Sequence, residues 1–161
     1  MVGAIILFVK MKKSELQNRT DIWNAMVFLM SEYDFPTDDH FANKTFLAYH
    51  YYSELESGGH EALFNWSEMY FNKVGVNNFF KGLIAILKEI NAQDYASIEE
   101  KYGETLWGLY KALENDDSKE EAFYNLIEKA DQEYYQLDGK LERLLEEYFI
   151  RIYTQFIEVV D

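Results

Sequence analysis

Apolar residues recur at helical spacing through nearly the whole chain beyond Thr20. Ile22, Met26, Leu29, Met30 and Tyr33 fall at three- and four-residue steps, which places them on one face of a helix starting near Thr20, a residue suited to an N-cap. Residues 34–43, around Pro36, read as a loop. Phe46, Leu47, Tyr51 and Leu55 give a second helix over 44–57. Gly58-Gly59 then stops or kinks it, because glycine readily takes the left-handed turn at a helix end. A shorter helix follows over 60–71. Gly75 leads into a helix whose Phe79, Phe80, Leu83, Ile84, Leu87 and Ile90 cover a wide arc, as a central helix requires. Three more helices are predicted. One covers 94–113, with Gly103 and Gly108 as weak points or close-packing sites. Another covers 119–135, opened by a capping box from Ser118 to Glu121. The last covers 138–159, with Leu141, Leu144, Leu145, Tyr148, Ile152 and Phe156 as its buried stripe.

This pattern predicts an all-α fold: a single compact domain over 1–161 with six to eight helices. One proline in 161 residues suits long helices, and an apolar share of 48% suffices for a packed core. Residues 1–10 form an apolar appendage, expected as a short N-terminal strand or a first helical turn packed on the body. Its eight apolar residues are too few to span a membrane as a helix, and its lysines follow rather than precede it, unlike a secretory signal. The absence of cysteine excludes disulfides and thiolate metal sites. The cytoplasm is the expected location.

Charge narrows the choice of partner. The chain holds 29 acidic and 15 basic residues, a net charge of −14. Residues 1–80 carry 10 acids and 6 bases, whereas residues 81–161 carry 19 and 9. Within the second half, residues 114–147 hold 12 acids and 4 bases, a net of −8. Such a surface repels nucleic acid and anionic membrane and attracts basic protein. Glu114, Asp116, Asp117, Glu120 and Glu121 make the densest cluster, and acids at a helix start also complement the macrodipole. Asp138, Glu142 and Glu146 follow at four-residue steps on the expected last helix, a spacing of like charges that weakens a helix. These three, with Glu114, Asp117, Glu121, Glu128 and Asp131 as a second row, are the candidate partner-binding residues.

Candidate chemistry is thin. No GxSxG, P-loop or Rossmann fingerprint occurs, so no catalytic residue is assigned and no cofactor is expected. The histidines are His40, His50 and His60. His50 and Glu54 stand four apart, and His60 follows the glycine pair, so a metal-dependent enzyme using His50, Glu54 and His60 is an alternative from a different class. Aromatic residues make up 17% of the chain, which suits both a core and a protein interface.

One stretch resembles a known family. Glu54-Leu55-Glu56-Ser57-Gly58-Gly59-His60-Glu61-Ala62-Leu63-Phe64 is similar to the glutamate, Asn-Gly-Gly and aromatic segment of the small acidic bacterial DNA-mimic proteins and their relatives. Asp131-Gln132-Glu133-Tyr134-Tyr135-Gln136-Leu137 resembles that family's Asp-x-x-Tyr-Tyr-x-Leu, and Leu144, Leu145, Tyr148, Ile150 and Phe156 continue the similarity to its closing helix. The likeness covers about 45–158. Ser57 stands where the family has asparagine, His60 where it has phenylalanine and Ala62 where it has glutamine. The resemblance implies an all-helical fold, a homodimer, and imitation of DNA to occupy a DNA-binding protein. The expected function is therefore that of an acidic, non-enzymatic binding protein whose partner is a basic protein, DNA-binding by that resemblance. An immunity protein neutralising a basic toxin is the alternative with the same charge logic.

Overall fold

The computed structural model describes residues 9–161. The expectation for residues 1–8 lies outside the described residues. The order of elements is β1 (Val9–Lys12), α1 (Arg19–Glu32), α2 (His40–Val74), α3 (Val76–Glu89), α4 (Gln93–Ala112), α5 (Glu120–Gln136), α6 (Lys140–Ile152) and β2 (Ile157–Val160). Six helices dominate, and the two short strands pair in parallel, Val9 opposite Ile157 and Lys12 opposite Val160. The all-α expectation with a short N-terminal strand agrees with this architecture.

Helices α2, α3, α4 and α5 pack in succession, each on the next, while α1 and α6 pack on one another and on α2. One core draws on all six helices. Tyr51, Tyr95, Phe46, Phe64, Phe79, Phe80, Phe123, Phe149, Met26, Met30 and Leu55 are all fully enclosed in it. Each large apolar side chain so buried is worth about 1.5–3 kcal/mol. Gly103 lets α4 approach α3: a Cβ there would stand 2.6 Å from the Phe80 ring.

Several boundaries differ from the sequence expectation, each for a local reason. Asn18, not Thr20, caps α1, its Oδ1 accepting the Asp21 N–H at 2.9 Å. Asp39 caps α2 through the Ala42 N–H at 3.0 Å, so the loop around Pro36 ends at Asp39 rather than at residue 43. Ser118 does not cap α5. Asp116 accepts the Ser118 N–H at 3.0 Å and starts a 3-10 turn over Asp117–Lys119 instead. The last helix stops at Ile152. A 3-10 turn at Tyr153–Gln155 redirects the chain so that Phe156 stacks on Phe41, 5.3 Å between centroids, and the β-branched run Ile157, Val159 and Val160 becomes a strand. Asp138 lies before α6, in a left-handed conformation with φ 55°, so the expected helical stripe of Asp138, Glu142 and Glu146 loses its first member.

Candidate functional site

The break at Gly58-Gly59 organises the centre of the molecule. Gly59 takes φ 68° and ψ −158°, a region reserved for glycine, and divides α2 into arms 40–57 and 60–74. The second arm starts with a freed backbone N–H at His60. Asp131 on α5 accepts it through Oδ1 at 2.9 Å, so a carboxylate from another helix serves as the cap. The same Oδ1 accepts the His60 Nδ1–H at 2.7 Å, and Glu99 Oε2 on α4 accepts the Nε2–H at 2.7 Å. Tyr51 Oη donates to that Glu99 oxygen as well, at 2.7 Å.

Both ring partners of His60 are carboxylates, which only accept, so the ring carries both protons. Burial opposes that charge. The Glu99 charge and the hydrogen bonds that the ring donates to Asp131 and Glu99 outweigh it and hold the His60 pKa at about 10. The His60 and Glu99 side chains are 0% exposed, and Asp131 is 26% exposed. Burial and the Glu99 charge push the Tyr51 hydroxyl well above its usual range, so it stays a donor. The centre therefore clamps both arms of α2 to α4 and α5. An imidazolium has no lone pair for a metal ion.

The metal-centre expectation for His50, Glu54 and His60 is thereby corrected. His50 Nε2 meets the Met30 carbonyl at 3.1 Å, its ring stacks on Trp66 at 4.8 Å, and burial lowers its pKa. Among the described residues no three His, Asp or Glu side chains gather at a spacing that holds a metal.

The candidate partner-binding carboxylates differ in exposure and in partners, and Gln132 Nε2 donates to Glu128 at 3.4 Å. Asp117, Glu121, Glu128, Asp138 and Glu142 are exposed. Glu114 is exposed but paired with Lys111 at 2.8 Å. Asp131 belongs to the His60 clamp. Glu146 is half-buried and holds Arg19 at 2.8 Å, and the same guanidinium reaches Glu147 at 2.5 Å. Glu56 joins the set from α2, accepting the Tyr134 hydroxyl at 2.7 Å. Tyr52 ties this region to α6: burial, then the charges of Glu142 and Glu56, raise its pKa to about 12.

Glu99 and Tyr51 complete the clamp; the sequence marks Tyr51 only as part of an apolar stripe, and Glu99 is passed over. A signal was present: Glu99 falls four residues after Tyr95 and three before Tyr102, on the buried stripe of α4. An acid on an apolar stripe announces a buried partner.

These features define a class: an acidic helical protein whose broken second helix is locked by a buried histidine between two carboxylates. The chain belongs to the DMP19-like protein family, whose model matches residues 39–152. The matched span includes the glycine break, the clamp residues Tyr51, His60, Glu99 and Asp131, and α3 to α6. No curated protein and no solved structure matches the chain. No helix among the described residues is long and apolar enough to cross a membrane.

Proposed function

We propose that this protein acts in the cytoplasm as a DNA mimic, binding a basic nucleic-acid-binding protein rather than catalysing a reaction. The observation that carries this proposal is the net charge of −8 over residues 114–147, set on helices and largely exposed. Double-stranded DNA offers one charge per about 1.7 Å of axis on a stiff scaffold. A helix offers carboxylates about every 5.4 Å along a face. Glu121 and Glu128 on α5 with Glu142 on α6 are the carboxylates best placed to take the role of phosphates, joined by Asp117 and Asp138 at the adjoining turns. Membership of the DMP19-like family supports the same conclusion. The partner releases its bound anions on docking, so affinity falls steeply with salt.

The experiment is capture from native lysate on the immobilised protein, at low and at high salt, with wild type and with Glu121, Glu128 and Glu142 reversed to lysine. Salt-sensitive recovery of DNA-binding proteins by wild type, lost in the reversed variant, is expected. Recovery of one basic toxin instead would assign an immunity role. Unchanged recovery by the variant refutes the acidic-face proposal. The homodimer implied by the family falls to the less acidic side, where Phe28 and Met69 are exposed. Light scattering showing a monomer at high salt and high concentration refutes it.

A further inference from the structure

Three lysines show how this protein seats a cation. Lys44 Nζ lies 5.3 Å from the Phe41 ring centroid and 2.9 Å from Glu89. Lys101 Nζ lies 4.9 Å from the Tyr102 centroid and 3.1 Å from Glu133. Lys111 Nζ lies 5.6 Å from the Trp107 centroid, 2.9 Å from Glu68 and 2.8 Å from Glu114. Each ammonium is held jointly by an aromatic face and a carboxylate. The negative face of the ring attracts the cation, and the carboxylate neutralises it.

Two tyrosines on α5 offer the same pair of groups to an outside cation. Tyr124 is 48% exposed and Tyr135 55% exposed. They are 11 residues apart, which on a helix places them about 20° apart on one flank and about 16 Å apart along the axis. Glu120, Glu121 and Glu128 stand three or four residues from Tyr124, and Asp131 stands four before Tyr135; its Oδ1 is taken by His60, and among the described residues its Oδ2 accepts no hydrogen bond. Glu56 of α2 accepts the hydroxyl of the adjoining Tyr134 at 2.7 Å, and burial, then the charges of Asp131 and Glu56, raise the Tyr135 pKa. Both rings are braced: Tyr124 edge-on to Phe123 at 5.0 Å and Tyr135 edge-on to Tyr134 at 5.6 Å. Lys129, the one base within α5, is rotated about 140° away from Tyr124. Among the described residues no lysine or arginine lies over either ring.

We infer that this flank of α5 is a docking edge that receives two arginine side chains of a basic polypeptide, one over Tyr124 and one over Tyr135, each also bonded to a neighbouring carboxylate. The inference rests on the acidic-face proposal and adds to it a residue-level recognition rule. Arginine suits the seat better than lysine, because its planar guanidinium stacks on the ring while its edge forks onto the carboxylate. A span of about 16 Å corresponds to about five residues of extended chain, so the partner segment carries arginines at roughly that spacing, or about 11 apart in a helix.

The test is calorimetric titration of the full-length protein with nona-arginine at low salt. Wild type is compared with the Tyr124→Ala/Tyr135→Ala and Tyr124→Phe/Tyr135→Phe double variants, each checked for fold by circular dichroism. The alanine pair is expected to bind about tenfold more weakly and the phenylalanine pair like wild type, since the ring face and not the hydroxyl makes the contact. Wild-type binding that the alanine pair retains in full overturns the tyrosine seats and leaves the acidic face standing. Failure of wild type to bind the peptide at all overturns the seats together with the acidic-face proposal beneath them.

Discussion

Replacing Gly59 by alanine tests the clamp most directly. The position has φ 68° and ψ −158°, where any side chain costs about 1–3 kcal/mol in backbone strain. The added Cβ would stand 2.6 Å from Asp131 Oδ2 and 2.9 Å from Oδ1, closer than such atoms approach. Asp131 must then retreat, and with it go the hydrogen bonds to the His60 N–H and Nδ1–H. Charged hydrogen bonds of this kind are worth about 1.5–3 kcal/mol. Gly59→Ala is therefore expected to lose about 3–5 kcal/mol in urea unfolding followed by far-ultraviolet circular dichroism. The route is separable by a double-mutant cycle. In an Asp131→Ala background the clash is absent, so Gly59→Ala should cost only the backbone strain. A loss below about 1 kcal/mol in the wild-type background, or full additivity in the cycle, would refute the link between the glycine and the carboxylate.

Stability should depend on pH in a defined window. The His60 pKa rises from 6.5 to about 10 on folding, so its contribution is complete below about pH 6.5 and is lost as pH climbs through 10. Unfolding midpoints should fall across that window, and His60→Phe, which places the family's residue there, should flatten the decline. His50 has the opposite sign: its pKa is lowered by burial, so its contribution is present above pH 6.5 and lost as pH falls below it. Leu145→Ala should cost about 2–5 kcal/mol in denaturant unfolding, because Leu145 is fully buried, while the half-buried Leu144 should cost less. Neutralising Glu121, Glu128 and Glu142 to glutamine should raise the thermal midpoint at low ionic strength, and added salt should erase the gain. A midpoint unchanged at low salt would mean that these charges do not repel one another.

The helical content was legible because the apolar stripes repeat at 3.6 residues, and the glycine pair announced the break in α2. What the break is for was not legible. His60 reads as a surface ligand candidate until Glu99 and Asp131 are brought to it from positions 39 and 71 residues away, and no local rule reports such a convergence. Which acids already have a partner is hidden for the same reason. Asp131 and Glu146 look identical in sequence to Glu128 and Glu142, yet His60 and Arg19 occupy them. Helix ends failed where two capping residues competed: Asn18 over Thr20 and Asp116 over Ser118. The change from helix to strand after Ile152 depends on β1, a partner that the C-terminal pattern alone cannot reveal.

That strand pair sets an order of events during synthesis. Val9 leaves the ribosome early, and its partner Ile157 is 148 positions further on. Helices α2 to α5 pack each on the next in chain order and can assemble as they emerge, whereas β1 has to wait for β2, just as α1 has to wait for α6. Emergence of β2 is thus the event that fastens β1. A ribosome stalled before residue 157 holds a helical body with β1 still unpaired and open to any chaperone or neighbouring chain that reaches it first.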